Sequence, residues 1–173
     1  EDTRWVKRIK FQSKILTAFW GQPMYLGATI LLPRGYHENP GKYYPVNYIQ
    51  GHFSLAAPNG FNEAAAGEGT NPRMRAGAEF SKFWMSDASP EMILVTFQHP
   101  CPYYDDSYAV NSPNTGPYGD AILQELIPAV EEQFRIIRQP YARVLSGGST
   151  GGWIALALQI FYPDFFGGAF SLC

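Results

Sequence analysis

Histidine and cysteine are scarce in this chain. The histidines are His37, His52 and His99, and the cysteines are Cys101 and Cys173. No Cys-x-x-Cys pair occurs, and no histidine stands at ligand spacing from Asp105 and Asp106, which argues against zinc and dithiol chemistry. Those two aspartates read as a solvated loop pair, and neither a metal nor an organic cofactor is expected. Cys101 and Cys173 follow strands separated by others, so they are expected to stay unpaired, because a disulfide needs Cα atoms within roughly 7 Å. Charge is also thin: 16% of residues are ionic and the net charge is -2, without long runs. That leaves no electrostatic footprint for nucleic acid or an anionic membrane. No apolar run reaches the length of a membrane span. The opening Glu1-Asp2-Thr3-Arg4-Trp5 lacks the basic start and apolar stretch of a signal peptide. Internal repeats and low-complexity tracts are absent too.

Apolar and aromatic residues, by contrast, are plentiful: 46% of the 173 residues are hydrophobic and 16% aromatic, enough for one core. A single domain over 1–173 is expected. Aromatic loop segments such as Pro102-Tyr103-Tyr104 and Asn59-Gly60-Phe61 suit either the lining of a pocket for an organic or sugar ligand, or the filling of gaps beneath long loops.

Val6, Ile9 and Phe11 read as a half-exposed strand closed by a Trp20-Gly21-Gln22-Pro23 turn. Tyr25 to Leu32 alternates as a second strand, stopped by Pro33 and Gly35. Pro45 to Gln50 is a short strand, and Met92 to Phe97 is a continuous apolar run of the kind a doubly buried strand requires. Between them Arg73 to Asp87 carries Phe80, Phe83 and Trp84 at helical spacing, giving a right-handed β-α-β crossover. His99 to Pro117 is too long for a simple connection. From Tyr118 a helix runs through Ile122, Leu126, Val130 and Phe134, with a kink expected at Pro128. Arg143 to Ser146, Trp153 to Tyr162 and Gly168 to Leu172 complete a strand, a helix and a strand. The order specifies an α/β fold, a mostly parallel sheet with helices on both faces.

The chemistry concentrates in Ser146-Gly147-Gly148-Ser149-Thr150-Gly151-Gly152, which passes from a strand directly into an apolar helix. A serine hydroxyl becomes a useful nucleophile when a sharp strand-to-helix turn projects it toward a base. Gly147 and Gly151 stand where side chains would collide across such a turn, and Gly152 eases packing of helix on strand. No Gly-Lys-Ser/Thr follows, so a phosphate-cradling loop is disfavoured. Ser149 is the candidate nucleophile. The backbone N–H of Thr150 is one candidate donor to an oxyanion, and that of His52, just past the glycine of Gln50-Gly51, is the other. All three histidines precede Ser149, whereas this type of fold orders its triad serine, acid, histidine. His37 reads as exposed, while His52 and His99 end strands on the face where the serine emerges, within possible reach of substrate.

Several segments together resemble one family: Tyr25-Leu26-Gly27, Leu32-Pro33-Arg34-Gly35-Tyr36, Tyr44-Pro45-Val46, Gln50-Gly51, Glu125-Leu126-Ile127-Pro128, Gly147 to Gly152, and Tyr162-Pro163-Asp164-Phe165-Phe166-Gly167. They are similar to the esterase family of α/β hydrolases that includes esterase D, feruloyl and enterochelin esterases and the mycolyltransferases. The resemblance implies the α/β-hydrolase fold, acylation of Ser149, and Thr150 and His52 as oxyanion donors. It implies a small-molecule or carbohydrate-linked ester as substrate, and export from the cytoplasm. Gln50-Gly51 departs from the His-Gly or Asp-Gly frequent at that place in the family. The acid and histidine of the triad are expected beyond residue 173, in a longer protein. Two alternatives remain open at this point: an acyltransferase using the same serine, and a binding or structural module that kept the fold without the catalysis.

Overall fold

The computed structural model describes residues 2–52, 54–63 and 71–172. Cys173 lies outside them, so the expectation about its pairing is not addressed there. Strand β1 (Val6–Ser13) pairs antiparallel with β2 (Met24–Leu31), from Val6 opposite Leu31 to Ser13 opposite Met24. Between them runs a helix, α1 (Lys14–Trp20), where the sequence pattern shows only a turn. Gly21 does close that helix, at φ 65, the left-handed geometry that suits a glycine cap. A helix of seven residues is too short to announce itself by periodicity or to stand alone. Its start is held from both near and far. Ser13 Oγ accepts from Leu16 N at 3.1 Å. The Glu125 carboxylate accepts from Lys14 N at 2.9 Å, from Ile15 N at 3.1 Å, and from the Ser13 hydroxyl.

The remaining elements follow the expected alternation. They are β3 (Val46–Gln50), α2 (Pro72–Trp84), β4 (Ile93–Gln98), a small hairpin of β5 (Asn111–Ser112) and β6 (Gly116–Pro117), α3 (Tyr118–Ala121), α4 (Ile127–Gln133), β7 (Arg143–Gly148), α5 (Thr150–Phe161) and β8 (Gly168–Leu172). The main sheet runs β1-β2-β4-β3-β7-β8. Strands β4, β3, β7 and β8 are parallel, and β2 joins β4 antiparallel. One face, carrying Ile30, Tyr48, Val95 and Leu145, packs on Leu126, Val130, Ile154 and Leu158. The other carries Val6, Leu31 and Leu94 against Trp84 and Phe61. Alternate side chains of the same strands therefore serve two cores, as the period of a strand dictates.

Two expectations are corrected. The helix after Tyr118 ends at Gln133, short of Phe134, and carries a π-turn over Ile122–Leu126: Ala121, Ile122, Leu126 and Ile127 all keep helical angles and Ile127 N donates to Ile122 O, so Pro128 lies inside a continuous helix. The distortion expected at Pro128 takes the form of this wider turn just before it, and Phe134 is already extended at φ -122, ψ 149. The helix α5 is apolar nearly all round but is not covered all round. Trp153, Leu156, Ile160 and Phe161 are exposed, as are Phe170 and Leu172 on the edge strand β8. Among the described residues no helix is long and apolar enough to cross a membrane.

A buried charge cluster fixes the two strands that matter most for the site. Arg143, at the start of β7, donates to Glu131 of α4 through Nε at 2.7 Å and through a second guanidinium nitrogen at 2.8 Å. The Tyr48 hydroxyl of β3 donates to the same carboxylate at 3.1 Å. Burial, followed by the adjacent carboxylate, holds the Tyr48 hydroxyl well above its ordinary pKa, so it remains a donor. Hydrogen bonds to a charged group contribute about 1.5–3 kcal/mol. Tyr48→Phe is accordingly expected to lower the unfolding free energy by about 1–3 kcal/mol in urea titration, with the Arg143–Glu131 pair still in place.

Candidate active site

Only Ser149 separates β7 from α5. Its backbone sits at φ 55, ψ -122, and its side chain is exposed at the carboxyl end of the parallel strands. A non-glycine residue there carries strain of about 1–3 kcal/mol and persists only where the surroundings over-determine it. The neighbours do so. A Cβ on Gly151 would lie 2.6 Å from the carbonyl carbon of Gln50 and 3.0 Å from Gly51 Cα, a Cβ on Gly147 2.9 Å from Gly151 Cα, and a Cβ on Gly152 2.5 Å from the Leu172 carbonyl oxygen. The turn is therefore clamped between the ends of β3 and β8. Ser149 N also donates to Leu172 O at 2.9 Å, continuing the ladder one residue past β7.

Thr150 is the first residue of α5, so its N–H has no acceptor within the helix and sits at the positive end of the helix dipole. The close approach of Gly151 to Gln50 brings the loop after β3, with His52, up against this first turn. The side chains meet as well: Thr150 Oγ1 and His52 Nε2 are 3.2 Å apart. On its other side His52 Nδ1 lies 3.2 Å from Asp106 Oδ2. The amide side chain of Gln50 points inward, donating to Tyr48 O at 3.2 Å, with its own oxygen buried and unpaired.

Asp106 is the residue the sequence reading misplaced. It is not solvated with Asp105: its side chain is only 3% exposed, whereas Asp105 is exposed. Its Oδ1 accepts from Tyr108 N at 2.8 Å, and Ser107 Oγ accepts from Ala109 N at 3.2 Å, so short polar side chains satisfy the backbone of the loop and fold it inward. Neighbouring residues that can each form such a turn are a signal the sequence did contain. His99 is also corrected. It is 2% exposed and bonded through Nδ1 to Ser107 Oγ at 2.8 Å, so it braces the loop from below and is not presented to a substrate. Burial pushes its pKa down, partly opposed by Asp106 3.8 Å away, which leaves a neutral imidazole. His37 is exposed, as read, with Nε2 2.9 Å from Arg4 O.

A cavity of about 450 Å³ opens along the same edge of the sheet, at the carboxyl end of β4 and the amino end of β2. Tyr25, Leu26, Leu55, Gln98, Pro100 and Cys101 line it, so its walls are mostly apolar. With strands about 4.8 Å apart, two to three strand positions separate it from Ser149 by about 10–14 Å. Of the two aromatic loop segments, one fills a gap, Phe61 being 6% exposed in the second core, while in the other Pro102 lines the cavity and Tyr103, 85% exposed, faces solvent.

The architecture matches solved structures over nearly the whole chain. A ferulic acid esterase superposes with a TM-score of 0.68 at 22% identity, covering 96% of this chain and 58% of that one. A fluorophosphonate-binding serine hydrolase of Staphylococcus aureus gives 0.58 at 16% identity, covering 95% of this chain and 55% of its own. The enterochelin esterase of Shigella flexneri gives 0.58 at 19% identity, covering 95% and 34%. This chain thus spans less than three fifths of each of them, and at these identities the likeness establishes the α/β-hydrolase fold. No curated protein sequence is similar enough to count as a relative. The family model described as "Putative esterase" matches residues 23–173, and the chain belongs to that esterase family.

Proposed function

We propose that the protein hydrolyses carboxylic esters through an acyl-enzyme on Ser149, without metal or organic cofactor. The observation that carries this reading is the exposed Ser149 hydroxyl on a strained φ 55, ψ -122 turn that passes straight from β7 into α5. In this reading Ser149 Oγ attacks the ester carbonyl carbon and its proton passes to a histidine base, which the serine-acid-histidine order puts after residue 173, as it does the acid that orients it. The carbonyl oxygen becomes an oxyanion facing the backbone N–H groups of Thr150 and His52. Such preorganised donors need no rearrangement as charge develops. Collapse breaks the ester C–O bond, the alcohol leaves with the proton from the imidazolium, and water repeats the sequence to release the acid.

The substrate class follows from the same edge of the sheet. The mostly apolar cavity along the sheet from Ser149 supports an ester with a bulky organic or sugar-linked part long enough to reach it. The esterases for ferulic acid and enterochelin among the solved structures are in keeping with that choice. A fluorophosphonate probe tests the reading. Covalent labelling of the full-length protein at Ser149, located by peptide mass spectrometry and lost in Ser149→Ala, is the expected result. A protein left unlabelled under conditions that label a known serine hydrolase overturns it.

A further inference from the structure

We propose that the imidazole of His52, held by the buried Asp106 carboxylate, is a positioning group that sets the oxyanion pocket through Thr150. This inference rests on the Ser149 esterase reading and assigns to the side chain of His52 a role separate from that of its backbone N–H.

Asp106 is 3% exposed, and a carboxylate taken out of water needs a partner. One oxygen has the Tyr108 amide; the other makes no hydrogen bond but lies 3.2 Å from His52 Nδ1, a close electrostatic contact. A carboxylate beside Nδ1 favours the tautomer with its proton on that nitrogen, and in that tautomer Nε2 is an acceptor. The group 3.2 Å from Nε2 is the Thr150 hydroxyl, which can donate. Carboxylate, imidazole and hydroxyl thus stand in line, joined by one electrostatic contact and one hydrogen bond, from the loop after β4, across the loop after β3, to the first residue of α5. The line ties together the two residues whose amides are proposed to hold the oxyanion.

The Asp106 end of the line is itself braced. Tyr108 and Ala109 both adopt φ 54, unfavourable for side-chain-bearing residues, and are held there by the Asp106 and Ser107 turns. The Tyr108 ring packs edge-on against Trp153 of α5, with centroids 5.7 Å apart. The loop 99–117 therefore grips the nucleophile turn at two places, through His52 and through Trp153. A loop longer than a connection requires gains a purpose in this way.

The test uses the full-length protein and p-nitrophenyl acetate. Alanine at position 52 keeps the backbone N–H, so His52→Ala removes the imidazole alone. His52→Ala and Thr150→Val are each expected to lower kcat about 10–100-fold, less than loss of an oxyanion donor outright, with KM changed by no more than about threefold. The double variant is expected to lose no more than the worse single variant, since both break the same line of contacts. His52→Gln, whose amide can donate to Asp106 and accept from Thr150, is expected to recover most of the rate. Additive losses, a His52→Ala variant within about twofold of the parent, or a loss beyond about 10⁴-fold that glutamine does not restore would each overturn the proposal; the last would make the imidazole the proton acceptor. Should Ser149→Ala retain the parent's turnover, the esterase reading fails and takes this one with it. Labelled Ser149 together with an unaffected His52→Ala overturns this proposal alone.

Discussion

Ser149→Ala is expected to reduce ester turnover by about 10⁶-fold, the scale on which removal of a serine nucleophile acts when base and oxyanion donors remain. Ester hydrolysis by purified variant and parent, matched for folded protein, measures it. Stability should move the other way when the residue becomes glycine. At φ 55, ψ -122 the serine carries strain that alanine keeps, because the penalty belongs to the Cβ. Glycine removes that penalty of about 1–3 kcal/mol and costs about 0.5–1 kcal/mol through its freer unfolded chain. Ser149→Gly is therefore expected to be inactive and more stable by about 1 kcal/mol in urea titration. An inactive glycine variant less stable than the parent would mean that the serine side chain contributes contacts beyond its strained backbone.

Gly151→Ala has the largest expected effect on the fold. The added methyl group would meet the Gln50 carbonyl and Gly51 Cα, both backbone at the end of a central strand that cannot swing aside as a side chain can. Overpacking ordinarily costs about 1–3 kcal/mol. Here either β3 or the start of α5 must move, so a loss above about 4 kcal/mol is expected, a large part of a domain's margin of about 5–15 kcal/mol. It would register as a collapse of soluble yield or of the urea midpoint. Gly148→Ala is the control next to the same serine. Its Cβ would meet nothing within 4 Å, its φ is not in the left-handed region, and stability is expected to stay within about 0.5 kcal/mol of the parent. A Gly151→Ala protein as stable as Gly148→Ala would show that the turn is not held against the end of β3.

These effects arise from a stretch that was legible in the sequence because its constraints are local. A strand ending in Gly147 and Gly148, a single intervening residue and an apolar helix leave few backbone paths, so Ser149, Thr150 and the glycines could be placed without coordinates. The alternation of β2, the apolar run of β4 and the spacing of Phe80, Phe83 and Trp84 were readable for the same reason: each pattern repeats within a few residues. Helix α1 was not, because seven residues capped partly by distant Glu125 carry no such repeat. Nor was the π-turn that marks the distortion before Pro128, which leaves Ile122 and Leu126 buried. Asp106 was misjudged because two adjacent aspartates in a polar loop look solvated by composition. What buries one of them is a fold-wide placement, His52 and His99 arriving from the ends of two different strands.

The attachment of Glu125 to the start of α1 bears on the order in which the molecule can be assembled during synthesis. Ser13 and Glu125 are 112 residues apart, so at about 5–20 residues per second the carboxylate follows the serine out of the ribosome by about 6–20 s. For most of that interval the β1–β2 hairpin has been made but its connecting helix lacks the acceptor for its first amides. The start of α1 must wait for a residue translated more than a hundred positions later.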